Sequence, residues 1–301
     1  MFSKSDIYKE LGKGINIYPF NENNIKENSI NLSASKYSWA MKSGKVFIDK
    51  DGNIYKNNHN NNLTELHISR GKSCVRKINE KEYIILLPLS TTLIETKEVL
   101  AIDNYIGGTY HSKVGIVSLG IGHIGTMVGP NFCGHSLIAI HNVSDYPLKI
   151  DINDTIVSVI FYYLKTPIDF KNATENGHLD KMANFGIRLD KDELENINQD
   201  WKKDIVEVRS KMLRSESFKI YKKEMRKRKF SNLKEYINLV NMLKFFIAFG
   251  VFIGTYEICK HLDIKNGNTV WIDRFWNIGL SGSLVLIIQK ILSSFNPKSR
   301  K

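Results

Sequence analysis

Up to about residue 165, short apolar runs alternate with turn residues. Ile15–Tyr18, Lys45–Asp49, Tyr83–Leu87, Lys113–Val117, His135–His141 and Thr155–Tyr162 carry β-branched or aromatic side chains, the pattern of strands. Asp51-Gly52, between KVFIDK and NIYKN, predicts a hairpin, and Asn57–Asn62 a polar loop. Many short strands with regular turns predict a sandwich or barrel. Ser3–Leu11 predicts one opening helix capped by Ser3 or Ser5.

After Thr166-Pro167 the period changes. Trp201, Ile205, Val208 and Met212 recur every three or four residues with charges between them, which predicts amphipathic helix through Leu239. Two readings stay open: a solvated helix packed on the β domain, or a coiled coil or bundle between subunits. Two apolar segments follow, Phe245–Tyr256 and Phe275–Ile288. A span wants ~20 largely apolar residues. Lys244, Glu257 and Lys290 would snorkel at the ends, with Tyr236, Tyr256, Trp271 and Trp276 as interface aromatics. Basic residues crowd outside the two segments. The expectation is therefore two transmembrane helices in a hairpin over 239–295, with the N-terminal domain and C-terminus both cytoplasmic. A buried helical hairpin and an interfacial pair are the alternatives.

Composition changes the picture modestly. The chain has 301 residues, 42% apolar, with net charge +12, concentrated between Lys202 and Lys244. Such a balance favours phosphates, nucleic acid or anionic lipid. The run Lys219–Lys229 directly precedes an apolar segment, so a lipid surface fits it better than nucleic acid. Cys74, Cys133 and Cys259 are odd in number and widely spaced, against a disulfide framework or a cysteine-rich metal site. His123, His135 and His141 match no ligand spacing, and no metal is expected. The expected organisation is 1–168 β domain, 169–238 charged helical linker and 239–295 apolar hairpin.

Six elements of the first domain, in register, resemble the dCTP deaminase/dUTPase family. They are Gly14–Phe20 (GINIYPF), Ser29–Leu32 (SINL), Leu87-Pro88 with Thr92 and Thr96–Val99, His111–Lys113, Gly129–Gly134 (GPNFCG), and Ile140–Asn142 with Tyr146–Phe161. The resemblance implies a mainly β, distorted β-barrel, a homotrimer, and a nucleoside triphosphate bound between subunits, with Mg2+ accompanying it. It also implies ligand contacts at His111, Ser112, Lys113, Asn131, Phe132, His141 and Asn142.

The same resemblance exposes losses. Deamination at C4 needs an activated water, and the zinc motifs H-x-E and P-C-x-x-C are missing from the sequence. The family uses a glutamate as general base, and the matching residue here is Ala139. The carboxylate of the turn corresponds to Gly129, the arginine to Ile116, and the closing-strand glutamine to Ser158. Losing a general base costs ~10²–10⁴ in rate. The expectation is a membrane-attached nucleotide sensor or effector without catalysis, a pseudoenzyme. The alternative is an active dCTP deaminase or dUTP diphosphatase tethered to a membrane, with Glu95, Glu98 or Asp103 as substitute carboxylates.

Overall fold

The computed structural model describes residues 1–59, 62–122, 125–168, 182–236, 239–267 and 269–274. The chain divides into two units, Met1–Lys223 and Glu224–Lys301.

The first unit is mainly β. Its strands are β1 (Ile15–Tyr18), β2 (Ile30–Ala40), β3 (Gly44–Ile48), β4 (Ile54–Tyr55), β5 (Thr64–Ile68), β6 (Val75–Ile78), β7 (Lys81–Leu86), β8 (Ser90–Ile102), β9 (Ile106–Ser112), β10 (Ile121–Gly122), β11 (Met127–Val128), β12 (Cys133–Asn142), β13 (Leu148–Asp151) and β14 (Thr155–Tyr163). One sheet has the order β10-β12-β8-β2-β14-β9-β11, with β1 added on β8. Its terminal strands β10 and β11 do not pair with each other, so it is a curled half-barrel. Two small sheets, β13-β7-β6 and β4-β3-β5, flank it. The Asp51-Gly52 hairpin forms as expected, pairing Phe47 with Tyr55 and Ile48 with Ile54; Gly52 has φ +83°, the left-handed region that glycine occupies cheaply. The opening helix is Lys4–Glu10, with Ser3 and Asp6 forming a capping box.

The run Lys113–Val117, read as a strand, is a single helical turn over Val114–Val117. Val114 and Val117 are exposed, so no sheet face recruits them, and a short apolar run does not by itself choose between helix and strand.

Strand β8 carries the fold. It pairs with β1, β2 and β12, and from Leu93 to Ile102 all its residues but Lys97 are buried. Strictly alternating burial would mark a sheet with one wet face; β8 has none because residues beyond 181 cover it. Helix Lys191–Ile197, a turn at Asp200–Lys203 and helix Ile205–Arg214 pack on the sheet. Val208 buries against Val99, Ala101 and Cys133, with Tyr18, Trp201 and Ile205 around them. The Met212 sulfur accepts the Ile17 N–H at 3.2 Å. Phe20, Phe218 and Tyr221 close the edge as an aromatic group. Each such side chain contributes roughly 1.5–3 kcal/mol on burial. The amphipathic stretch is therefore a helical segment packed on the β domain, and the compact unit runs well past residue 168.

Helix Glu216–Tyr236 runs from the first unit into the second, where helix Leu239–Asn266 and the turn Val270–Arg274 follow. Asp263 is buried and accepts the N–H groups of Trp271 at 2.9 Å and Ile272 at 2.7 Å, so it anchors that last turn. The expected membrane hairpin gains no support. Among the described residues no helix is long and apolar enough to cross a membrane. The uncharged run Phe245–Tyr256 would span roughly 18 Å of a hydrocarbon layer about 30 Å thick, and the helix continues through Glu257, Lys260, Asp263 and Lys265. Phe275–Ile288, the second segment, lies outside the described residues.

Candidate nucleotide site

Strand β9 ends at Ser112, and the backbone turns there into the Val114–Val117 helix. That turn places Ser112 and Lys113 on the wall of an open cleft of about 610 Å³. Asn23, Asn24, Lys26 and Ser29 line it from the loop before β2, with Asn31 of β2 and Thr155 and Ser158 of β14. Lys113 donates through Nζ to Thr155 Oγ1. Burial lowers the Lys113 pKa, the Lys26 charge lowers it further, and Asp154 opposes both. The two ammonium groups give the cleft a positive charge. Ser158 Oγ donates to Asn31 Oδ1 at 2.7 Å.

Glu98 fastens this wall from behind. It accepts the Ser33 N–H at 2.7 Å, the Ser33 hydroxyl at 2.9 Å and Asn24 Nδ2 at 3.3 Å. Burial raises its pKa against those bonds. Its oxygens are engaged by the scaffold, so it is a staple rather than an acid or base.

The remaining expected contacts lie elsewhere in the single chain. His111 bonds Thr109 Oγ1 at 2.9 Å and is not in the cleft lining. Asn131, with φ +59°, and Phe132 form the turn before β12, where the Phe132 carbonyl accepts the Ile102 N–H at 2.9 Å. Gly129 starts that turn, accepting the Phe132 N–H at 3.3 Å. His141 Nδ1 lies 2.9 Å from Thr91 Oγ1. Asn142 is buried; its amide donates to the carbonyls of Leu86, Leu87 and Tyr146 and its oxygen accepts from Ser144, so it clamps a turn. Asp103 is half-buried, raised in pKa by burial.

Ala139 sits opposite Leu93 across the β12–β8 ladder. Its surroundings are hydrocarbon: Trp39, Leu93, Met182, Ile187 and Ile197, edged by Tyr37, Met41, Leu137 and Leu189. The cover is locked by Trp39 Nε1 donating to Glu193 Oε1 at 2.9 Å and by the Arg188 N–H on the Gly71 carbonyl at 3.1 Å. Gly71 has φ +69°, and a Cβ there would lie 2.4 Å from the Gly186 carbonyl oxygen, so the approach needs glycine.

A second, smaller cleft of about 270 Å³ lies along β2, β8 and β12. Glu95, His135 and Asn196 line it. Glu95 Oε1 accepts Asn196 Nδ2 at 2.8 Å and lies 3.7 Å from His135 Nε2. Burial pushes the Glu95 carboxyl up to about 7, with the Asn196 bond and the Lys202 charge opposing.

Among the described residues no group of three His, Cys, Asp or Glu side chains could hold a metal ion; His123 lies outside the described residues. Cys74 and Cys133 are buried and Cys259 half-buried, all as thiols.

The dCTP deaminase-like family profile matches residues 1–164, more than half of the sequence. The chain belongs to the dCTP deaminase-like family. No curated protein sequence matches it. Among solved structures, it is similar to the 2'-deoxycytidine 5'-triphosphate deaminase of Agrobacterium tumefaciens, at 11% identity and a TM-score of 0.36 over 53% of this chain and 46% of that one. It is similar also to the EIAV dUTPase, at 12% identity and a TM-score of 0.26 over 34% and 92% of the two chains. A third is the dUTPase of Staphylococcus bacteriophage 80alpha, at 14% identity and 0.26 over 35% and 93%. The chain thus spans about half the length of that solved deaminase.

Within the family frame, Ser112 and Lys113 were legible because they sit in a motif. Lys26, Asn23 and Thr155 were not, since they meet Lys113 only through the sheet order. Nor was the cover from Met182 to Ile197, which no motif announces. Glu95 at a buried position of β8 was the one available signal for the second cleft.

Proposed function

We propose that this dCTP deaminase-like protein binds a deoxynucleotide or a signalling nucleotide without deaminating it, and that occupancy is what it reports. The observation carrying this reading is the separation of two features. A cationic, hydroxyl-lined cleft holds Ser112, Lys113 and Lys26, while Ala139, at the position of the family's base, is partly exposed and packs against a hydrocarbon cluster. Phosphate oxygens would take the lysines and Ser112, and Mg2+ would travel with the triphosphate. In this reading the copies assemble as a homotrimer, as the family resemblance implies, with a neighbour closing the open side of the cleft.

The test is calorimetric titration of the full chain with dCTP, dUTP, dTTP and cyclic nucleotides. Lys113→Ala together with Lys26→Ala is expected to weaken binding of the responding nucleotide at least tenfold, about 1.4 kcal/mol. Absence of binding by every member of the panel removes the proposal.

One observation favours an enzyme instead: Glu95 is a carboxyl titrating near neutrality, the range in which a general base works best. Chromatography of dCTP and dUTP incubated with the protein and Mg2+ separates the two readings, because only the enzyme yields dUTP, dUMP or pyrophosphate.

A further inference from the structure

Glu95 is 1% exposed, and its neighbours come from two sides. On the barrel side stand His135 of β12, Tyr37 and Lys36 of β2, Glu82 of β7, and Lys97. On the other side stand Asn196 and Glu193 of helix Lys191–Ile197 and the ammonium of Lys202. Lys202 is itself buried and donates through Nζ to the Asn196 carbonyl at 2.8 Å and to Asn196 Oδ1 at 2.6 Å. Its carbonyl accepts the Cys133 thiol at 3.4 Å. A polar chain thus runs from the sheet through Glu95 and Asn196 to Lys202, parallel to the apolar contacts of Met182, Ile187 and Ile197.

His135 is oriented from the sheet side. Its Nδ1 lies 2.7 Å from the Thr96 carbonyl, which can only accept, so Nδ1 carries the hydrogen. In the neutral ring Nε2 then turns a lone pair toward Glu95. An ionised Glu95 would lie inside the wall with Glu193 nearby, 3.7 Å from His135 Nε2 and beyond hydrogen-bond reach of it.

We propose that residues 182–204 form a proton-operated strap, which stays docked over Leu93 and Ala139 while the Glu95 carboxyl is protonated and lets go as it ionises. The sign follows from burial. A carboxyl whose affinity for a proton is higher in the docked state stabilises docking fully below the ordinary carboxylate range, and that stability is lost as pH rises through about 7. Lys202 limits the effect without reversing it. Release would bare Trp39, Leu93 and Glu95 together, a surface that the closed chain hides. The inference does not depend on nucleotide binding.

The experiment is hydrogen–deuterium exchange on the intact chain at pH 6 and pH 8, corrected for intrinsic rates, with β14 as the internal reference. Protection across 191–203 is expected to fall about tenfold at pH 8 relative to β14. In Glu95→Gln, which stays neutral and still accepts from Asn196, the strap should be as protected at pH 8 as at pH 6. His135→Asn keeps Glu95 and should keep the fall. Flat protection in the unaltered chain, an equal fall in Glu95→Gln, or a fall abolished by His135→Asn would each overturn the proposal.

Discussion

Replacing Trp39 by alanine is expected to destabilise the first unit by about 3–5 kcal/mol. The indole is fully buried, at the centre of the cluster with Leu93, Met182, Ile187 and Ile197. Two costs add. The cavity left by the ring cannot be filled by Tyr37 or Met41, which are tied to β2 and its end. Glu193 also loses the indole N–H that its Oε1 accepts at 2.9 Å, keeping the Asp190 N–H on Oε2, and a buried acceptor that loses its donor is costly. Urea unfolding followed by far-ultraviolet circular dichroism measures the loss. A change below about 1 kcal/mol would mean that the cover contributes little to stability.

The second large effect concerns Ala139. Restoring the acid there, as Ala139→Glu, is expected to cost about 1–2 kcal/mol and to yield no dUTP from dCTP. Ala139 is partly exposed and packs against the cluster of Trp39, Leu93, Ile187 and Ile197, so the new carboxyl would be partly desolvated. Desolvation would hold its pKa up, so the loss of stability should grow as pH rises from 5 to 8. Thermal unfolding across that range, with chromatography of dCTP incubations, tests both halves. A stable variant that releases ammonia would show that one substitution had silenced an otherwise complete site.

Much of the β architecture was legible because alternation, turn residues and family motifs agree over β1, β2, β8, β12 and β14. The Val114–Val117 turn was misread because three apolar residues and a glycine fit either period. The helices at 191–214 were visible as a pattern, but their destination was not: Val208 and Met212 could equally have faced another subunit. Only the buried Val99, Ala101 and Cys133 on the sheet decide that they fold back. The tail was read from Phe245–Tyr256 with Leu239–Leu243 across Lys244, whereas the helix runs on through Glu257, Lys260, Asp263 and Lys265, and its second apolar segment lies outside the described residues. At the site, Ser112 and Lys113 were legible as a motif, whereas Glu95 with Asn196 joins residues 101 positions apart, a pairing that local sequence does not encode.

The fold-back of Val208 and Met212 bears on how the molecule can be dissected. A fragment ending where the family match ends, at residue 164, would open Trp39 and Leu93 on one flank and Val99, Ala101 and Cys133 on another to water. Such a truncation severs a hydrophobic core instead of trimming a tether. The smallest self-sufficient piece of this protein is therefore longer than its ancestry suggests, with its cut point near Lys223.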